Sequence, residues 1–233
     1  MRVVGLCLLC CMGAIELHAE ENVWQSNVEF GFVQTSGNTQ TKTLNTKVKI
    51  SREVEATRTT LEASALNASD QNRTTAKRLS ASLQEDWKFS ERGYVIGRLS
   101  FSTDRFAGIQ SRYKETVGYG RQLAKNEAWN WKFELGVGAR QTQLIPTQRK
   151  NDVIGRSATA VQWKMSDHSK LLQELDTEGG QQGFVSHSVT ALQQQINDTL
   201  SSKIAFSAEH TSKVPATIKK LNTETSVTLV WAY

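Results

Sequence analysis

Residues 129–140 read WNWKFELGVGAR, and every second residue is apolar. Trp129, Trp131, Phe133, Leu135, Val137 and Ala139 fall on one face of an extended strand, and Asn130, Lys132, Glu134, Gly136, Gly138 and Arg140 fall on the other. The same two-residue period returns at Trp24, Val28, Phe30 and Phe32; at Leu44, Val48 and Ile50; and at Leu79, Leu83, Trp87 and Phe89. It continues at Val95, Leu99 and Phe101, at Tyr113, Val117 and Tyr119, at Val161 and Trp163, and at Ile204 and Phe206. An amphipathic helix needs apolar residues three and four apart, and they do not recur that way. The stretches 168–178 and 185–196 alternate more weakly, and strands are placed there by spacing. The pattern predicts about 12 strands, each near the roughly 9–11 residues that cross a bilayer when tilted.

Of the 233 residues 38% are hydrophobic, low for a domain packed around a conventional core, and no apolar run reaches the length of a spanning helix. A membrane barrel remains open, because only one face of each strand meets lipid. The polar face of 129–140 carries opposite charges and glycines, which suits side chains sharing a confined lumen. Short turns are expected at 53–57, 90–93, 125–128, 166–169 and 197–199, and generally longer loops at 36–40, 69–73, 106–112, 144–151, 178–184 and 210–220. That alternation predicts an all-β fold, an antiparallel transmembrane β-barrel of outer-membrane type, with the short turns facing the periplasm.

Arg2, the apolar run Val3–Ile15 and small Ala19 before Glu20 and Glu21 read as a secretory signal peptide spanning 1–19, leaving a barrel domain at 20–233. Cys7, Cys10 and Cys11 all lie in that segment, so the mature chain has no cysteine for a disulfide or thiolate site. The last stretch, VTLVWAY, puts Val227, Leu229, Trp231 and Tyr233 on one face of a strand that ends on an aromatic. A terminal strand must pair with the first to close a barrel, since a free edge is a liability. Leu229, Trp231 and Tyr233 resemble the carboxyl-terminal signal read by the barrel-assembly machinery of outer membranes.

Two stretches carry a wider resemblance: SGNTQTKTLNTKVKISRE at 36–53 and DWKFSERGYVIGRLSFSTDRFAGIQSRYKETVGYG at 86–120. Ser90, Glu91 and Arg92, then Asp104, Arg105 and Phe106 with Gly108 and Ile109, are the matching positions. The chain resembles the uncharacterised family of salt-induced outer-membrane proteins, a domain-of-unknown-function β-barrel family. The resemblance implies an outer-membrane barrel and brings no activity with it.

Few residues suggest chemistry. His18, His168, His187 and His210 lack metal-ligand partners at useful spacing, and the turn at 178–184 has glycines without the lysine and helix of a phosphate loop. No cofactor and no metal are expected. His210 and Ser212 stand two apart, a spacing similar to the nucleophile pair of outer-membrane phospholipase A, with Asn222 as the nearest third member on a poorly matching strand. A barrel hydrolase acting on lipid and a soluble periplasmic β-sheet protein are therefore the alternatives to a non-enzymatic barrel.

Lys47, Lys49, Arg98, Lys114, Lys132, Glu134, Arg140, Arg156 and Lys203 are expected to line the lumen, with Lys88, Lys164, Glu29, Glu62, Asp86, Asp104, Glu174 and Glu209 among them. Such charges must be paired or wet. They fit either a narrow, weakly anion-preferring pore, whose charged lining would set its selectivity, or a charge-laced core that fills the barrel. Gly31, Gly118, Gly120, Gly136 and Gly138 argue for space. Arg149, Lys150, Lys213, Lys219 and Lys220 on the outer loops are expected to contact outer-membrane lipids, lipopolysaccharide included. Nucleic-acid binding is excluded by the lack of a basic patch interleaved with aromatics on a soluble face. The oligomeric state is not legible.

Overall fold

In the computed structural model the described residues are 23–34, 41–70, 73–146, 148–181, 183–214 and 219–232. They form twelve strands and no helix: β1 (Val23–Gln34), β2 (Thr41–Glu53), β3 (Thr57–Asp70), β4 (Arg73–Lys88), β5 (Gly93–Asp104), β6 (Ile109–Lys125), β7 (Trp129–Leu144), β8 (Gln148–Lys164), β9 (Ser169–Gly180), β10 (Gly183–Gln195), β11 (Leu200–Thr211) and β12 (Leu221–Ala232). Each pairs antiparallel with its chain neighbours, and β12 returns to β1 to close the barrel. The signal-peptide reading of 1–19, the turn Ser36–Thr39 and the terminal Tyr233 lie outside the described residues.

Two expectations need correcting. Strands run 12 to 17 residues rather than the roughly 9–11 of a bilayer crossing, because ladder hydrogen bonds continue past the hydrocarbon into the headgroup region. That extension absorbs most of the expected long loops. β3 and β4 are separated only by 71–72, β7 and β8 by 145–147, and β9 and β10 by 181–182. The loop-length asymmetry survives only in the connections at 35–40 and 212–220.

The barrel is apolar outside and polar within. Val137, Val117 and Val227 are 61–62% exposed, whereas Asp86 is 1%, Arg140 5% and Glu134 8% exposed. On β7 the outward apolar run from Trp129 to Ala139 precedes Gln141, about ten residues that, tilted about 40°, rise roughly 26 Å, the height of a lipid-facing band. The terminal strand follows this rule: Val227 and Leu229 face out at 61% and 40% exposure, and Thr228 and Val230 are buried. The aromatic side of that strand is thus the lipid face and not a buried one. Its seam with β1 is short, pairing Asn27 with Ala232, Val28 with Trp231, Glu29 with Val230 and Phe30 with Leu229.

All six tryptophans sit near the end of the barrel where β1 begins and β12 finishes, on the outward parity: Trp24, Trp87, Trp129, Trp131, Trp163 and Trp231. Trp129 and Trp163 stack at 5.3 Å, Trp131 Nε1 donates to Thr159 Oγ1 at 2.9 Å, and the Arg52 guanidinium lies 5.6 Å over Trp24. An indole has an apolar body and a polar edge, so this girdle fixes the depth of that end in the interface.

Candidate functional site: the charged lattice across the lumen

Register alone puts the charged side chains on the inner face, and contacts that skip strands demonstrate it. Lys203 on β11 donates to both Glu29 carboxylate oxygens on β1 at 2.8 and 3.0 Å, passing over β12. Lys114 on β6 reaches Glu178 Oε1 on β9 at 2.6 Å, passing over β7 and β8.

Glu134 is the hub. Its Oε1 accepts from Gln84 Nε2 and from the Tyr94 hydroxyl, each at 3.2 Å, and its Oε2 accepts from Arg156 Nη1 at 2.9 Å. Arg156 Nε also donates to Asp176 Oδ2 at 2.8 Å. Gln84 Nε2 donates to Asp86 Oδ1 at 2.8 Å, and Asp86 Oδ2 accepts from Arg58 Nε at 2.8 Å. Arg98 Nη1 donates to Gln84 Oε1 at 2.9 Å. One connected lattice thus joins β3, β4, β5, β7, β8 and β9. Among the described residues no buried polar side-chain atom is left without a partner, as a low-dielectric interior requires.

β6 contributes nothing to that lattice because it has glycine there. A Cβ on Gly120 would stand 2.1 Å from the Tyr94 ring, and one on Gly118 would stand 2.3 Å from the Leu135 carbonyl oxygen. Gly138 and Gly136 are equally tight against the backbone of β6, at 2.0 and 2.7 Å. These glycines were expected to leave the lumen open. Instead they allow β6 and β7 to approach closely and let Tyr94 lie across the strand, and Tyr94, Ile96 and Ile154 are 4%, 2% and 1% exposed on the inner side.

The predicted lumen residues divide into two groups. Lys49 pairs with Glu62 at 2.8 Å, Arg140 with Asp152 at 2.9 Å, and Lys114, Arg156, Glu134 and Lys203 are paired as described. Lys47, Arg98 and Lys132 have no carboxylate within ion-pairing distance among the described residues, and neither does Lys170. Among the described residues Arg98 donates to an amide and a hydroxyl acceptor, Gln84 and Ser82. Of the expected partners, Lys88 bonds Glu53 and Lys164 bonds Asp167 at the rim, each at 2.7 Å. Arg58, Gln84, Tyr94 and Asp176 were missed. The available signal was parity: Tyr94 and Ile96 alternate against Val95 and Leu99, so β5 is apolar on both faces where it enters the lattice.

The remaining candidates fall at the rims. Where β1 begins, a cavity of about 570 Å³ opens between the turns 54–56 and 89–92, lined by Glu53, Arg58, Lys88, Arg92 and Tyr94. At the opposite end, Arg149 donates to Gln141 Oε1 at 2.8 Å, Lys213 donates to the Gln181 carbonyl at 2.9 Å, Lys150 takes the inward parity, and Lys219 and Lys220 are exposed. His210 and Ser212 do not form a dyad. Ser212 Oγ accepts from the Phe184 backbone N–H at 2.8 Å, the His210 ring rests against Phe184 at 5.3 Å, and Asn222 takes the inward parity opposite to His210.

Comparison with known proteins agrees with this architecture. The chain is 25% identical over 210 residues to the uncharacterized protein YdiY of Escherichia coli (strain K12), covering 90% of this chain and 82% of that one. Among solved structures, the NanC porin superposes with a TM-score of 0.56 at 12% identity, over 88% of this chain and 98% of that chain. An outer membrane channel from Pseudomonas putida F1 superposes with a TM-score of 0.55 at 9% identity, over 93% and 97% of the two chains. At those identities the likeness shows the outer-membrane barrel fold and nothing finer. Residues 28–233 match the family described as "Protein of unknown function, DUF481", and the chain belongs to that family.

Proposed function

We propose that the protein is a non-enzymatic outer-membrane barrel of a Gram-negative envelope that conducts small anions through a narrow lumen. Residues 1–19 act as a removed signal peptide, the girdled end faces the periplasm, and the residues around Leu229, Trp231 and Tyr233 engage the assembly machinery. The observation that carries the channel reading is the surplus of cations on the inner wall. Among the described residues Lys47, Arg98, Lys132 and Lys170 form no ion pair, while Asp86, Glu178, Glu134 and Glu29 are each already paired with another cation. Unpaired cations in a confined lumen require water or a mobile anion beside them. The porin and channel identities of the two superposed structures support the same reading.

The test is ion conductance of the folded protein in planar bilayers. Discrete steps with anion preference are expected, and Lys132→Gln together with Lys47→Gln should move the reversal potential toward zero. A silent bilayer from protein shown to be folded by heat-modifiable gel mobility would overturn the channel reading. It would favour the second one, an envelope-supporting barrel, for which the strand-skipping bonds Gln84–Glu134 and Lys114–Glu178 speak directly, since they occupy lumen cross-section. The link to salt stress is tested by growth of a deletion strain at high osmolarity; unchanged growth would remove it.

A further inference from the structure

We infer that the cavity of about 570 Å³ at the girdled end is a binding site for a small, ring-bearing organic anion. That volume lies inside the roughly 300–1,000 Å³ of sites that take small molecules. The site is separate from conduction, since it fills whether or not the lumen beyond it is open. Its first feature is a cation held rigid with a donor to spare. Arg58 gives Nε and Nη2 to a single oxygen, Oδ2 of Asp86, and its guanidinium carbon lies 5.4 Å from the centre of the Tyr94 ring. These contacts fix a side chain that is only 17% exposed. Arg58 Nη1 has no acceptor among the described residues, yet none of their buried side-chain polar atoms lacks one, so Nη1 keeps open surface, and the cavity is the space that Arg58 lines. A preorganised, largely desolvated guanidinium binds an oxyanion well, because little rotamer freedom is lost and screening is weak. The carboxylates around the cavity do not cancel it. Glu53 is engaged by Lys88 at 2.7 Å, and Glu55 and Glu91 are exposed on the turns, where water screens them and the equally exposed Arg92 and Lys125 offset them.

The second feature is aromatic surface beside that cation. Tyr94 and Phe89 both line the cavity. The Tyr94 ring is fixed across Gly120 with its hydroxyl on Glu134 at 3.2 Å, and the Phe89 ring is steadied by Tyr119 at 6.0 Å. A ligand whose oxyanion meets Arg58 therefore has rings on hand for its own flat body, which a bare inorganic anion does not use.

The third feature is that the walls are already built. Lys88 N donates to the Ala56 carbonyl at 2.8 Å, Gln122 N donates to the Arg92 carbonyl at 2.7 Å, and Gly93 N donates to Ser90 Oγ at 2.8 Å. These bonds tie the turns 54–56 and 89–92 and the end of β6 into one frame. A Cβ on Gly93 would stand 2.6 Å from the Phe89 ring, so glycine is what lets that ring fold over its own turn. A cavity framed this way pays little ordering entropy when a ligand enters.

The experiment is an NMR shift titration of the full-length folded protein in detergent micelles, with benzoate, phenyl phosphate and uncharged benzamide as probes. The two anions should move the amides of Ala56, Ser90 and Gly93, the tighter of the two naming the oxyanion, and benzamide should bind at least about tenfold more weakly. Arg58→Lys keeps a cation for Asp86 but loses Nη1, and should weaken benzoate about tenfold, the low end for one hydrogen bond to a charged group. Ala56→Trp, on an exposed turn whose backbone bond to Lys88 is kept, should fill the cavity and abolish the shifts while heat-modifiable gel mobility shows a folded barrel. Lys219→Gln/Lys220→Gln, a larger loss of charge at the opposite end, should change nothing. Equal binding of benzoate and benzamide would overturn the anion class, and equal weakening by the Lys219/Lys220 pair, or benzoate binding that survives Ala56→Trp, would overturn the location. Acetate binding as tightly as benzoate would overturn the ring contact. Because no current is measured, a silent bilayer removes the channel and leaves this site, and absent shifts remove the site and leave the channel.

Discussion

Replacing Arg156 with methionine removes the cation that two carboxylates share. Arg156 is 9% exposed and donates to Glu134 at 2.9 Å and to Asp176 at 2.8 and 2.6 Å. Methionine keeps an unbranched stem and leaves both acids uncompensated. A hydrogen bond to a charged group contributes about 1.5–3 kcal/mol when desolvated. The Glu134 side chain is 10% exposed, so its bond counts nearly in full, whereas Asp176 is 34% exposed and its two bonds are screened. Taking about 3 kcal/mol for the first and about 1 kcal/mol for the second gives roughly 4 kcal/mol, inside the range for removing one member of a buried pair. Urea unfolding in phospholipid vesicles, followed by the fluorescence of the lipid-facing tryptophans, reads this directly. With a slope of about 2 kcal/mol per molar, the midpoint should fall by roughly 2 M. Glu134→Gln in the same chain should restore part of the loss, because the stranded charge is gone. A shift below about 0.5 M, with the two substitutions simply additive, would refute the reasoning. The lattice would then be bathed in water and its pairs worth no more than surface pairs.

Gly138→Ala should destabilise the barrel by about 1–3 kcal/mol in the same assay, since its Cβ would meet the Glu115 carbonyl at 2.0 Å, while Gly155→Ala, with nothing within 4 Å, should stay within about 0.5 kcal/mol of wild type. Ser212→Ala should cost about 0.5–1.5 kcal/mol and loosen hydrogen-exchange protection at Phe184, with no change in any phospholipid hydrolysis; a lost lipase signal would revive the catalytic reading. The Asp167 carboxyl, in the turn 165–168, is held below the usual aspartate range first by its hydrogen bond from Lys164 and then by that ammonium charge. A depressed folded value means the contact is present above the unfolded value and lost as pH falls through the folded one. A carbon-detected NMR titration should show the low midpoint, and Lys164→Ala should return it to the ordinary value.

The two-residue period was sufficient for the fold. Alternation such as Trp129 to Ala139 against Asn130 to Arg140 specifies a strand with one apolar face, and enough such strands without a spanning helix leave a closed barrel as the arrangement that satisfies every edge. Parity alone names an inward set, because a side chain's face depends only on its own strand. Strand ends were harder to read. Polar residues such as Arg149 and Glu178 look like loop, yet the ladder runs through them because pairing there costs nothing in water.

What the sequence determined was therefore local and periodic: strand, face, and the order of hairpins. What only the tertiary structure decided was which inward charges meet. Glu134 finds Gln84, Tyr94 and Arg156 on three different strands, Lys203 reaches past β12 to Glu29, and among the described residues Lys132 forms no ion pair. Those outcomes depend on barrel stagger and on how far each side chain extends over a neighbouring glycine. The glycines show the difference most plainly. In sequence Gly118, Gly120, Gly136 and Gly138 read as empty lumen, and in the folded chain they are where two backbones and a tyrosine ring come into contact. A missing side chain leaves space only if nothing else is near enough to fill it, and that nearness is set by curvature, which no single strand encodes.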